Sequence, residues 1–277
     1  MEGNDCYKFS TIKNYVARLG AEPISRILDV GANIGNIALL AHEYFPLARI
    51  IGFEMVEEYC QRARQATAHI PQITILPQAL SYRHLYEDDY GELPRASACS
   101  LRILKGLPSS GPGWIGGSQA LPPDQVDGSA IPSGYSLLEQ SVGAVTLEEV
   151  LASTGWSEID ILKLDCEGSE HSILGSAPVR TLQRIRYIVG EYHGLDRFYT
   201  TMQRKLFQTH KVNLVGSHDL GSFFAERLDG ERDGLLRWDK SGMRIERPWL
   251  SDRPIDWHLF DERHVLPAER RAHGLAD

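Results

Sequence analysis

Two groups of side chains in this sequence have the types and spacing to do chemistry. One is acidic: Asp165 and Glu167 follow the apolar run that starts at Ile159, and Glu191 and His193 close the run that starts at Ile185. Carboxylates gathered with an imidazole can take or deliver a proton, and histidine has the intrinsic pKa nearest neutrality. The other group is the turn Leu28-Asp29-Val30-Gly31-Ala32-Asn33-Ile34-Gly35, joined by Glu54 at the end of the next apolar run. Its glycines stand where a backbone must approach a ligand at the start of a helix.

The spacing within that turn separates two ligand classes. A dinucleotide site reads G-x-G-x-x-G, so that backbone amides reach an anionic pyrophosphate. Counted from Gly31, the second and third glycine positions hold Asn33 and Asn36, and Asp29 would set a carboxylate beside the phosphates. Both features disfavour a nicotinamide-dependent oxidoreductase and favour a ligand that carries ammonium and sulfonium charge. Glu54 suits either class, because an acid there can accept both hydrogen bonds of a ribose diol.

A parallel sheet covered by helices would position these residues, since short apolar runs alternate with helical patterns. Residues 26–31, 49–55, 73–80, 159–165, 185–192 and 211–217 read as six strands, and a turn near Asp229-Gly230 predicts a seventh over 235–238. Helices are expected over 34–45, 57–69 and 198–209. Ligands bind at the carboxyl ends of such strands, where both groups fall. If the fourth strand runs on, alternation turns Asp165 and Glu167 toward one crevice. Lys163 reads as an ion-pair partner, with Asp165 the nearest candidate. Glu170 reads as a charge favoured at a helix start. Cys166, between two acids, should keep its proton.

Residues 82–144 form a long insertion after the third strand. Its middle, 106–134, is rich in Gly, Pro and Ser, which suits neither a conventional helix nor a central strand. It is either a surface loop or a lid, and Trp114 and Tyr135 favour the lid. Residues 1–240 then make one domain, and 241–277, with Pro248, Pro254 and Pro267, a tail packed on it or on a partner subunit, which is compatible with a homo-oligomer.

A formal charge of −8 argues against binding nucleic acid by phosphate neutralisation. The four cysteines, Cys6, Cys60, Cys99 and Cys166, include no close pair, so neither a disulfide framework nor a zinc site is indicated. No apolar run approaches the ~20 residues that cross a bilayer. A cytoplasmic protein without a membrane segment is expected. The acids at the ends of the fourth and fifth strands would suit a divalent metal, but nothing in their spacing demands one, and none is assigned.

The segments D-V-G-A-N-I-G, G-F-E-M, I-D-I-L-K-L-D-C-E-G-S-E and I-V-G-E-Y-H together resemble the FkbM-type methyltransferases, over roughly residues 26–216, with the block 159–170 the most specific. The resemblance implies an α/β fold: a Rossmann-like seven-stranded methyltransferase sheet, mostly parallel, with the last strand antiparallel. It also implies S-adenosylmethionine as cofactor and, for most members, O-methylation in natural-product or saccharide pathways. Carried over by position, Asp29, Gly31, Asn33, Gly35, Glu54 and Met55 would bind the cofactor, with Gln78 and Ala79 beside its adenine. For transfer to a hydroxyl of a small molecule or sugar, Glu167 or His193 would take the proton, and Asp165 would position donor or acceptor. Methylation of nitrogen or carbon, transfer or cyclisation of the aminocarboxypropyl arm, and a non-catalytic module all stay open.

Overall fold

The computed structural model describes residues 23–80, 100–106, 119–121, 135–194, 198, 201–202, 205–216 and 220–228. The chain runs through β1 (Arg26–Val30), α1 (Asn36–Tyr44), β2 (Arg49–Phe53), α2 (Glu57–Thr67), β3 (Ile73–Leu76) and β4 (Gln78–Leu80). The insertion supplies β5 (Ser100–Gly106), β6 (Gln119–Leu121), β7 (Tyr135–Ser141) and β8 (Gly143–Val145). There follow α3 (Leu147–Thr154), β9 (Ile159–Leu164), α4 (Glu170–Ser176), α5 (Val179–Leu182) and β10 (Ile185–His193). A 3-10 turn (Leu206–Gln208), β11 (His210–Gly216) and β12 (Leu220–Arg227) complete the fold.

Seven strands form one sheet in the order β11-β12-β10-β9-β1-β2-β3. The ladders joining β3, β2, β1, β9 and β10 are parallel, whereas β12 is antiparallel to both its neighbours. The expected sheet with one reversed strand is therefore present. Its middle strands are apolar on both faces, as a sheet covered on both sides requires. On β1, Leu28 and Val30 pack with Leu162, Leu151 and Ile173, while Ile27 turns the other way to meet Ile50, Ala38 and Ala63.

Two expectations need correction. The third strand does not run unbroken to residue 80, because Pro77 has no N–H to continue the ladder. After it, β4 leaves the main sheet and pairs in parallel with β8, so the two ends of the insertion meet there. The seventh strand is β12, not a segment over 235–238; β11 ends at Gly216 and β12 begins at Leu220. Phe223 and Ala225 are its buried positions, an alternation that the adjacent exposed-type residues obscure in the sequence. Within the insertion, β6 lies at the edge of a three-stranded antiparallel sheet of order β6-β5-β7, consistent with a composition that suits no central strand. The side chains of Trp114 and Tyr135, any role of the insertion as a lid, and the tail from residue 241 lie outside the described residues.

At the amino ends of the central strands, one buried carboxylate collects five donors. Asp160 on β9 accepts from Ser25 N and Oγ, Arg26 N and Nε, and Arg186 Nη1, at 2.9 to 3.2 Å. These contacts bind β1, β9 and β10 together at the edge away from the carboxyl ends. They hold the carboxyl of Asp160 below its ordinary range although burial opposes this. No helix among the described residues is long and apolar enough to cross a membrane.

Candidate active site

The corner after β1 is shaped by close backbone approach. Gly31 adopts φ 77°, and a Cβ built on it would stand 1.9 Å from the carbonyl oxygen of Asp165. Only glycine fits there. The amides of Gly31 and Ala32 both donate to the carbonyl of Phe53 at 3.0 Å, and Asp165 N donates to Val30 O at 3.2 Å. The corner is thus welded to β2 on one side and to the end of β9 on the other. Asn33 follows in the left-handed region, at φ 49°, which asparagine tolerates better than most residues. Among the described residues, its buried Oδ1 has no hydrogen-bond partner. Gly35, at φ 90°, stands at the start of α1 against Ala63 of α2.

Glu54 lies one residue beyond β2 and is almost wholly buried. Its Oε2 accepts from Asn33 N and its Oε1 from Val56 N, both at 2.8 Å. Burial pushes its carboxyl up to about 7, against the pull of those two amides and of Lys163. A carboxylate with four lone-pair sites, two of them already used by the backbone, keeps acceptor capacity for further hydroxyls. Beside it, Val56, Tyr59, Ala79 and Val142 form a small apolar cluster, with Ile34 and Met55 packed against it. Gln78 and Ala79 of β4 face Gly143 and Ala144 of β8 in register. Gly31, Asn33 and Gly35 thus follow the carboxyl end of β1, Glu54 and Met55 that of β2, and Gln78 and Ala79 begin β4 just past the carboxyl end of β3.

Asp29 is placed differently from its neighbours. It has no exposed surface, and Lys163 Nζ lies 3.1 Å from its Oδ1. The expected partner of Lys163, Asp165, is farther off at 3.8 Å and is 27% exposed.

Beyond β9 the strand does not run on, so alternation does not aim Asp165 and Glu167 together. β9 ends at Leu164, and Glu167 sits in a turn at φ 54°, in the left-handed region that residues other than glycine seldom adopt. Glu170, the first residue of α4, fixes that turn: its Oε1 accepts from Cys166 N and its Oε2 from Gly168 N, each at 2.9 Å. Its Oε1 also lies 3.2 Å from His193 Nδ1, while Glu167 Oε2 lies 3.3 Å from His193 Nε2. The imidazole is clamped between two carboxylates. Burial alone would lower its pKa, but the hydrogen bonds and charges of Glu167 and Glu170 raise it to about 10. Despite its own burial, Glu170 is held below the usual range by His193 and the turn amides. Cys166 is pushed well above the ordinary thiol value, first by burial and then by the charges of Glu170 and Asp165, so it keeps its proton as expected.

The structure thus joins Asn33 to Glu54, Gly31 to Asp165, and Glu167 to His193. Sequence reasoning missed Glu170, read only as a dipole-favoured charge. The signal was present in the E-G-S-E spacing, since an acid at a helix start can reach back to the amides of the turn before it. Among the described residues, no group of three or more His, Cys, Asp or Glu side chains could hold a metal ion.

Residues 29–211 match the family model described as the methyltransferase FkbM domain. The 31-O-demethyl-FK506 methyltransferase FkbM of Streptomyces tacrolimicus is 30% identical over 180 residues, which cover 61% of this chain and 66% of that protein. The AMB antimetabolite synthetase AmbE of Pseudomonas aeruginosa is 27% identical over 188 residues, covering 62% of this chain and 8% of that protein. The chain therefore spans just under two thirds of the first relative and a small part of the second. Among solved structures, an rRNA methylase from Streptococcus thermophilus superposes with a TM-score of 0.43 at 9% identity, covering 79% of this chain and 95% of that one.

Proposed function

Because the chain belongs to the FkbM methyltransferase family, we propose that it is an S-adenosylmethionine-dependent O-methyltransferase acting on a hydroxyl of a small molecule or sugar. The oxygen in that proposal draws on the name of the Streptomyces relative, an enzyme of 31-O-demethyl-FK506. The observation that carries the cofactor assignment is Glu54. A buried carboxyl held near neutrality, anchored on the amide of Asn33 and beside an unpartnered Asn33 Oδ1, suits a ribose diol better than it suits a pyrophosphate.

When bound, S-adenosylmethionine supplies a methyl group on a positively charged sulfur. The chain's residues do the rest. Glu54 would receive the ribose hydroxyls, and the apolar cluster with Ile34 and Met55 would hold the adenine and exclude water from it. Asp165, partly open and hydrogen-bonded through its backbone to the corner, offers negative charge to a cationic donor. Glu167 takes the acceptor's proton as the carbon–oxygen bond forms. His193, already protonated at neutral pH, steadies Glu167 and does not itself act as base.

Titration calorimetry with S-adenosylhomocysteine tests the cofactor site. Hydroxyl donors favour the ionised form of Glu54, so binding should release a proton below pH 7 and affinity should rise as pH approaches 7 and then level off. The gain is at most about tenfold per pH unit. Glu54→Gln should weaken binding and flatten this dependence. A flat wild-type profile, or no binding, would remove the assignment. Mass spectrometry of the spent donor then separates methyl transfer, which leaves S-adenosylhomocysteine, from arm transfer, which leaves methylthioadenosine.

A further inference from the structure

Lys163 is unusual for its place. It lies on β9, a strand otherwise filled by apolar residues and one anchored aspartate, and only 1% of its surface is exposed. Burying an ion pair is generally no more favourable than packing apolar residues of similar volume, so stability alone does not account for a lysine here. Its contacts do. Lys163 is the register partner of Asp29 across the β1–β9 ladder, and its Nζ lies 3.1 Å from Asp29 Oδ1, 3.1 Å from the carbonyl of Gly31 and 3.4 Å from that of Val30. The two carbonyls accept hydrogen bonds from the ammonium, and Asp29 meets it as an ion pair.

We infer that Lys163 is the positioning residue of the donor corner, and that Asp29 acts on the donor through Lys163 without touching it. The inference rests on the reading of the corner as the cofactor site. Both peptide faces of the turn are fixed: the carbonyls of Val30 and Gly31 by Lys163, and the amides of Gly31 and Ala32 by the carbonyl of Phe53. That constraint delivers Asn33 to its left-handed conformation, with its amide on Glu54. Asp29, with no exposed surface, has no route to a ligand in the crevice unless the corner opens. Its carboxylate balances the buried ammonium. The charge left to face a cationic donor belongs to Asp165, 3.8 Å from the same ammonium and partly exposed.

Two probes distinguish this role from direct contact: S-adenosylhomocysteine, and 5′-methylthioadenosine, which lacks the amino-acid arm. Asp29→Asn should weaken both by the same factor, tenfold or more, because the whole corner loosens. Weakening of S-adenosylhomocysteine alone would mean that Asp29 meets the ammonium of the arm, and would overturn the inference, as would unchanged affinity for both. A second comparison removes the buried charges together. Lys163→Met should lower the melting temperature, and Asp29→Asn with Lys163→Met should restore most of it while affinity for both probes stays at least tenfold weak. If the double variant regains affinity with stability, the lysine is merely structural and the inference fails. Wild-type protein that binds neither probe would instead overturn the cofactor reading beneath it, and this inference with it.

Discussion

His193 illustrates how neighbours decide what a residue can do. An isolated imidazole would be the natural base at neutral pH. Between Glu167 Oε2 and Glu170 Oε1 it stays protonated to about 10, and both ring nitrogens act as donors. The role of base then falls to Glu167, whose strained turn is pinned from beneath by Glu170. With any hydroxyl acceptor that is turned over, Glu167→Gln should lower kcat by about 10²–10⁴ and leave the Kd for S-adenosylhomocysteine within about twofold. His193→Gln should lower kcat less. The wild-type pH profile should show no rise through 6.5 and should fall as pH nears 10, where the clamp loses its cation. A kcat that climbs with an apparent pKa near 6.5 would restore His193 as the base.

At the scale of elements, the sheet holds its two ends by different means. The carboxyl ends are bound by backbone approach at Gly31 and by Lys163, whereas the amino ends of β1, β9 and β10 meet on Asp160. Asp160→Ala leaves Arg186 without its buried partner and should cost about 3–5 kcal/mol of stability. Urea denaturation would measure this, and affinity for S-adenosylhomocysteine should be nearly unchanged while the variant stays folded. If both fall together, the two ends of the sheet are coupled. Strands such as β1, β9 and β10 were legible because continuous apolar runs are a local signal, and the turn after β1 was legible because its glycines are. Pro77 was also visible, but the departure of β4 depends on pairing with β8, more than sixty residues on. β12 was missed because only every second residue is buried and Gly221 and Ser222 dilute the pattern. Asp160 was beyond reach because it acts through Ser25, Arg26 and Arg186, which only the folded sheet brings near; for Glu170 the same holds of His193, though not of the turn amides beside it.

For the whole molecule, several buried groups titrate in opposition, and their balance sets stability against pH. Glu54 folds with its pKa raised from 4.5 to about 7, so its contribution is fully present below 4.5 and is lost as pH rises through 7. His210 is the reverse. Buried between Thr209 and the carbonyl of Ile185, it is depressed from 6.5 to about 4, so its contribution is present above 6.5 and is lost as pH falls through 4. Burial is the first cause in both, and each shift corresponds to on the order of 3 kcal/mol. Between pH 7 and 4.5 acid therefore strengthens the fold through Glu54 while weakening it through His210, and the two largely cancel. His193 adds stability that is full below 6.5 and declines as pH rises from there through 10, so its contribution is nearly constant only at pH 6.5 and below. Urea midpoints of ligand-free protein at pH 6.5 and 4.8 should differ little for the wild type. Glu54→Gln removes the opposing term, and its midpoint should fall on acidification by the equivalent of about 1–2 kcal/mol. His210→Gln, freed of the acid-labile term, should shift the opposite way. If both variants follow the wild-type profile, neither group titrates in the folded state as its burial requires.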